Sequence, residues 1–125
     1  MGGKVRLSVL MVEDNADHIE LSREHLPEDE YELTVALTGA ECLAAIKRRP
    51  FDIILLDYSL PDTNGMDLLP RIREFQPNSL VLFVSAMDDA DLSYQAIRAG
   101  ASDYVIKDFG YYRNLHRRIR EAFEE

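Results

Sequence analysis

The sequence has few of the residues on which several classes of protein depend. With a single cysteine, Cys42, among 125 residues the chain cannot form an internal disulfide, and nothing indicates an oxidising compartment. Three scattered histidines, His18, His25 and His116, do not have the spacing of a zinc site. The apolar run at residues 9–12 is too short for a signal-peptide core, and no segment approaches the length of a membrane span.

Basic residues are also in the minority. Lysine and arginine number 14 against 23 acidic residues, which gives a formal net charge of -9. Such a surface repels DNA and anionic lipid, so we expect neither nucleic acid nor a membrane as a direct partner, whereas a cation is well tolerated. The sequence also lacks repeats, low-complexity segments and linkers. We therefore expect one soluble, cytoplasmic domain over residues 1–125.

Two kinds of segment alternate along the chain. Strands are predicted over residues 5–12, 31–37, 52–57, 79–86 and 103–107, and helices over 16–26, 39–49, 65–75, 89–100 and 111–125. The first, third and fourth strands are nearly continuous apolar runs, as central parallel strands are when helices cover both faces. The pattern predicts an α/β fold with a doubly wound, five-stranded parallel sheet. Ligands of such sheets bind at the carboxyl ends of the strands.

Polar side chains lie at four of these strand ends. Glu13 and Asp14 follow the first strand, Asp57 ends the third, Ser85 lies at the end of the fourth and Lys107 ends the fifth. If these strands are neighbours, three carboxylates share one edge of the sheet. At ~5 Å and an effective dielectric of ~20, each pair repels by roughly 3 kcal/mol, so one acid must be protonated or a cation must bind.

Magnesium is the cation that suits such a site, because it takes one or two carboxylates, keeps several waters and bridges to a phosphate. Our hypothesis is that Glu13 and Asp14 hold Mg²⁺ while Asp57 is the nucleophile that forms an aspartyl phosphate. Lys107 would pair with the phosphoryl group or with Asp57, and Ser85 would donate to a phosphoryl oxygen. Each residue alone is also explained as a helix cap, turn or surface residue, so the hypothesis depends on their combination.

The same residues stand in segments that resemble the receiver domain of two-component response regulators. The segments are "MVEDN", "DIILLDYSLPDTNGMDLL", "FVSA" and "GASDYVIK", and the resemblance covers essentially the whole chain. Pro61 and Gly65 also stand where the family has them. The resemblance implies a (βα)5 fold with the flavodoxin-like strand order 2-1-3-4-5.

The resemblance also implies a mechanism. A sensor histidine kinase or phosphotransfer protein presents a phosphohistidine, and the receiver catalyses transfer to its own Asp57. Mg²⁺ would bind Asp14, Asp57 and the backbone carbonyl of Ser59, with Glu13 contributing through water. Such a domain is not an enzyme in the ordinary sense, since it catalyses only its own phosphorylation and dephosphorylation.

The family's switch residues fall on Ser85 and Tyr104. After phosphorylation Ser85 is expected to move toward the phosphoryl group and Tyr104 to swing inward, which reshapes the surface of the fourth helix, fifth strand and fifth helix. This surface would then bind an output protein, a fused output domain or a second copy in a dimer. Tyr104 is also explained as an ordinary half-buried aromatic on an edge strand. The sequence leaves open whether the chain is a single-domain regulator or part of a longer protein.

One position departs from the family. The family usually has a proline after its lysine, joined by a cis bond, whereas here Asp108 follows Lys107. A cis bond before a non-proline residue costs ~3–4 kcal/mol, so either the bond is trans and the loop differs or strain is retained. The aromatics Phe109, Tyr111 and Tyr112 follow, as a partner or dimer patch or as a cover for the altered loop.

Three other functions are alternatives to this one. A phosphatase of the haloacid-dehalogenase type needs a second aspartate two residues after the nucleophile, where this chain has Ser59. Such a phosphatase also needs a cap domain, for which this chain has no room. A flavodoxin-like flavin carrier needs a hydroxyl- and glycine-rich loop after the first strand, where this chain has "EDNAD". A pseudo-receiver that binds proteins without being phosphorylated stays open as an alternative, although the presence of all expected site residues favours the phosphorylated receiver.

Overall fold

The computed structural model describes residues 5–124 of the chain. Its strands are β1 (Leu7–Val12), β2 (Tyr31–Ala36), β3 (Ile53–Asp57), β4 (Leu80–Ser85) and β5 (Asp103–Ile106). Its helices are α1 (Ala16–Glu24), α2 (Gly39–Arg48), α3 (Gly65–Phe75), α4 (Ala90–Arg98) and α5 (Leu115–Glu124), with a 3₁₀ turn (Tyr111–Asn114) before α5. The expectation of a helix at residue 125 lies outside the described residues.

All strand pairs are parallel and the sheet order is β2-β1-β3-β4-β5, which confirms the predicted fold. Successive residues of the central strands point to opposite faces of the sheet, so both faces carry a core. On one face Leu10, Ile54 and Phe83 pack with α2 and α3. On the other face Val9 and Ile53 pack with α1 and α5. Burial of each large apolar side chain contributes about 1.5–3 kcal/mol, which explains why residues 9–12, 53–56 and 80–84 of the central strands are all apolar.

Each of the first four helices begins at a residue whose side chain accepts hydrogen bonds from backbone N–H groups of the first turn. These capping residues are Asn15, Thr38, Asn64 and Asp89. Such caps satisfy donors that have no partner within the helix. In the fourth helix the cap is Asp89 rather than the neighbouring Asp88. No helix within residues 5–124 is long and apolar enough to cross a bilayer.

The loop after β5 differs from the predicted continuous helix. The peptide bond between Lys107 and Asp108 is trans, so the loop itself changes course. Gly110 has a φ of 77°, a left-handed conformation that glycine adopts without strain. The chain then turns through the 3₁₀ segment before α5 begins. As a result Phe109 is 93% exposed, whereas Tyr111 is only 6% exposed and points into the protein.

Cys42 also differs from its expected half-buried environment, since its side chain is fully buried. The reason is helical spacing: Cys42 and Ile46 lie four residues apart on the face of α2 that packs on the sheet. Leu43, which was expected to point inward, is half-buried beside them. Burial raises the pKa of the Cys42 thiol to about 12, so this cysteine is a packing residue rather than a nucleophile.

Candidate functional site

The strand order brings the predicted polar residues to one edge of the sheet. Glu13 follows β1, Asp57 ends β3 and Ser85 ends β4, and these three strands are direct neighbours. Lys107 follows β5, and its backbone N–H donates to the carbonyl of Ser85 at 2.6 Å. The structure thus brings the side chains of Glu13, Asp57 and Lys107 into contact and places Ser85 at the end of the neighbouring strand.

The ammonium group of Lys107 bridges two buried carboxylates. Its Nζ atom donates to Oε1 of Glu13 at 2.6 Å and to Oδ2 of Asp57 at 3.1 Å. The three side chains are only 11%, 6% and 8% exposed, respectively. Water therefore screens the charges weakly, and one positive charge faces two negative ones.

Asp14 adds a third carboxylate on the solvent side of this group. Glu13, Asp14 and Asp57 each offer an oxygen atom, and these oxygens lie within 4.8 Å of one another. The set consists of hard oxygen ligands with one exposed member, which fits Mg²⁺ with part of its water shell retained. The excess negative charge beside Lys107 also favours a divalent cation.

Asp57 is the carboxylate whose protonation is most affected. Burial, and then the neighbouring charge of Glu13, raise the pKa of Asp57 to about 7, although Lys107 acts in the opposite direction. A bound cation would oppose both effects and favour the ionised carboxylate. The charge of Asp57 therefore depends on what occupies the neighbouring space.

Ser85 and Tyr104 both bind the backbone of Met87. The hydroxyl oxygen of Ser85, which is buried, accepts a hydrogen bond from the N–H of Met87 at 3.1 Å. The hydroxyl of Tyr104 donates to the carbonyl of Met87 at 2.6 Å, and its half-buried ring stacks on Phe83 at 5.7 Å. One peptide segment after β4 thus holds both residues.

The loop between β3 and α3 is closed by backbone contacts. Ser59, which is exposed, pairs with Asn64 in an isolated antiparallel bridge, and the N–H of Gly65 donates to the carbonyl of Tyr58 at 2.8 Å. A Cβ atom on Gly65 would lie 2.9 Å from the carbonyl oxygen of Asp57, so glycine permits this close approach. The role of the Ser59 carbonyl as a metal ligand stays a prediction.

Sequence reasoning missed two residues around the site. The carboxylate of Asp62 accepts from the N–H groups of Gly39 and Ala40 at 2.8 and 3.0 Å, and so ties this loop to α2. Tyr111, for which the sequence leaves open an aromatic patch or a cover for the altered loop, has a ring that lines the same narrow cavity as Glu13 and Asp57. Neither contact has a signal in the sequence, because both join segments distant along the chain.

Comparisons with known proteins agree with this geometry. The family model described as the response regulator receiver domain matches residues 9–120. The chain is 38% identical over 97 residues to the regulatory protein LuxO of Vibrio cholerae, covering 78% of this chain and 21% of LuxO. It is 37% identical over 102 residues to the transcriptional regulatory protein KdpE of Mycobacterium tuberculosis, covering 82% of this chain and 45% of KdpE. This chain thus spans less than half the length of either relative.

A solved structure supports the same assignment. The BeF₃-activated receiver domain of DrrB, a Thermotoga maritima protein, aligns with a TM-score of 0.84 at 26% identity, covering 97% of this chain and 100% of that one. The family match extends over most of the chain and includes every strand end described above. The chain therefore belongs to the family of response regulator receiver domains and takes part in two-component signalling.

Proposed function

We propose that this receiver accepts a phosphoryl group on Asp57 from the phosphohistidine of a sensor histidine kinase or phosphotransfer protein. A carboxylate oxygen of Asp57 attacks phosphorus, the P–N bond to the imidazole breaks, and the electron pair leaves with the imidazole. The observation that carries the proposal is the bridge from Lys107 to both Glu13 and Asp57 at one sheet edge. Its ammonium group neutralises charge where the phosphoryl oxygens would lie.

Mg²⁺ fits the donor set of this site. We propose that Asp14, Asp57 and the Ser59 carbonyl hold it, with Glu13 contributing through water. When bound, the ion supplies positive charge that favours ionised Asp57 and offsets the charge of the incoming phosphoryl group. The domain would catalyse only its own phosphorylation and dephosphorylation, as a switch rather than an enzyme with a separate substrate.

The switch would use the two residues that meet at Met87. If Ser85 turns its hydroxyl toward a phosphoryl oxygen, it exchanges its contact with the Met87 N–H for a charge-assisted bond. Displacement of that segment removes the carbonyl to which Tyr104 donates and lets its ring move inward. The surface of α4, β5 and α5 would then change its affinity for an output protein, a fused output domain or a second receiver.

The direct partners are proposed to be proteins in the cytoplasm. The net charge of -9 opposes direct contact with nucleic acid, although the two relatives carry names of regulatory proteins. Any such contact would then be made by a part of the protein other than this domain.

The first test is intact mass spectrometry after incubation with acetyl phosphate and Mg²⁺. We expect a phosphoryl adduct on the wild type that disappears on chelation of the metal and is absent from Asp57→Ala. Asp52→Ala, which changes an acid at the opposite end of the same strand, should be modified normally. Absence of an adduct with acetyl phosphate and with phosphohistidine donors would instead support a pseudo-receiver.

A further inference from the structure

The altered loop after Lys107 places an aromatic ring beside the candidate site. Lys107 Nζ lies over the ring of Tyr111, 5.8 Å from its centroid. The same ring lines the narrow cavity behind Glu13 and Asp57. A cation held over an aromatic face is attracted by the ring's quadrupole, most strongly where water is excluded.

Contacts from α1 hold this ring in place. The ring of His18, on α1, meets Tyr111 edge-on at a centroid distance of 5.9 Å. Ser22, a buried polar residue on the inner face of α1, lines the same narrow cavity as Tyr111.

The backbone of the loop is shaped to turn this ring inward. The left-handed conformation of Gly110 reverses the chain after the exposed Phe109, and the N–H of Tyr111 donates to the carbonyl of Asp108 at 3.2 Å. The trans bond at Lys107 and the burial of Tyr111 thus belong to one loop conformation.

We infer that Tyr111 is a positioning residue for Lys107. Its ring, which His18 of α1 meets edge-on, forms the wall against which the Lys107 ammonium lies, and it keeps water from the side of the lysine that faces away from Glu13 and Asp57. The ammonium group is thereby held in the position that bridges both carboxylates. The consequence for phosphorylation rests on the proposed function, whereas the positioning itself is independent of it.

The test reads out the lysine ammonium group directly in unphosphorylated, metal-free protein. The chain has only three lysines, Lys4, Lys47 and Lys107, so ¹⁵N-edited NMR of their side chains gives a simple spectrum. The Lys107 signal is assigned as the one lost in Lys107→Arg. In the wild type we expect slow hydrogen exchange at this group, because it is buried and hydrogen-bonded.

Tyr111→Leu keeps an apolar side chain but removes the aromatic face and the hydroxyl. We expect exchange at the Lys107 ammonium to become about tenfold faster or more, with a shift of its ¹⁵N signal. Tyr111→Phe keeps the ring and should stay within about threefold of the wild type. Tyr94→Leu, the same change at an exposed tyrosine of α4 whose ring contacts Arg98, should leave the signal unchanged.

Backbone amide spectra establish that each variant is folded. A folded Tyr111→Leu protein with wild-type Lys107 exchange would overturn the inference, and so would a Tyr111→Phe protein that behaves like Tyr111→Leu. If phosphorylation occurs as proposed, Tyr111→Leu should also slow modification by acetyl phosphate about tenfold. If Tyr111→Leu speeds hydrogen exchange at the Lys107 ammonium but the wild type forms no phosphoryl adduct, the proposed function is refuted and this inference stands.

Discussion

The Nζ atom of Lys107 donates a hydrogen bond at 2.6 Å to Glu13, which lies 94 residues earlier in the chain, and another at 3.1 Å to Asp57. The three partners lie at the ends of β1, β3 and β5, and β4 lies between β3 and β5. All four strands must therefore be in place before this bridge can form. The bridge is therefore both a product of the fold and a site whose charges must remain balanced.

Removal of the lysine should destabilise the folded protein. Lys107→Met leaves two carboxylates buried without their cation, so we expect the free energy of unfolding to fall by roughly 3 kcal/mol in metal-free buffer at pH 8. Urea titration measures the change. Adding Asp57→Asn to the variant should recover most of the loss, and Lys47→Met, which removes an exposed lysine, should have little effect. A Lys107→Met protein as stable as the wild type would show that the bridge does not offset carboxylate repulsion.

The pKa of Asp57 predicts how stability depends on pH. It is raised to about 7 in the folded state, so between roughly pH 4 and pH 7 the folded protein binds more protons than the unfolded one. Stability from this group is therefore present at low pH and is lost as the pH rises through 7. Asp57→Asn should be more stable than the wild type by about 1–3 kcal/mol at pH 8, with a smaller difference at pH 5. Urea titrations across this range, without metal, measure it; a difference that grows toward low pH would contradict the assigned shift.

Magnesium should offset the free-energy cost of burying ionised Asp57 beside Glu13. An ion held as proposed by Asp14, Asp57 and the Ser59 carbonyl would bind only the folded chain, so at about 100 times its dissociation constant it should stabilise the wild type by about 2.7 kcal/mol. Thermal unfolding with and without MgCl₂ measures this effect. Asp14→Asn should lose most of it, whereas Asp17→Asn, on the first turn of α1, should retain it. Equal stabilisation of both variants would place the ion elsewhere.

Gly39, the first residue of α2, lies against the loop between β3 and α3. A Cβ atom on this residue would clash with Cγ2 of Thr63, so Gly39→Ala should destabilise the protein by about 1–3 kcal/mol, although alanine is ordinarily the better helix former. Thr63→Ser removes that methyl group and should restore most of the stability of the Gly39→Ala protein. Denaturant unfolding of the two single variants and the double variant forms the test, and additive losses would contradict the predicted contact.

Gln76 makes a buried network at the end of α3. Its side-chain oxygen accepts from the N–H of Phe51 at 2.9 Å, and its nitrogen donates to the carbonyls of Ile46 and Arg49 at 2.9 and 2.7 Å. Gln76→Leu leaves these groups without partners and should cost about 3 kcal/mol. Gln95→Leu, on the exposed side of α4, should change stability by less than about 0.5 kcal/mol. Similar effects of both changes on urea unfolding would refute the importance of the network.

Much of the candidate site could be predicted because strand ends are visible in the sequence. The apolar runs before Asp57 and Ser85 are long enough to identify buried strands, and parallel strands bring their carboxyl ends to one edge. The positions of Glu13, Asp14 and Lys107 follow from the same rule. Gln76 could not be recognised in this way, since its partners lie at the end of α2 and in the segment before β3.

The sequence by itself determined the alternation of strands and helices and the acidic character of one sheet edge, because periodicity and charge are local properties of the chain. Only the tertiary structure decided that Lys107 contacts both Glu13 and Asp57, that Asp62 caps α2, and that Tyr111 turns inward while Phe109 stays in water. These contacts join segments far apart in sequence. They depend on how the loops pack against neighbouring helices, where burial and hydrogen bonding across elements outweigh local preference.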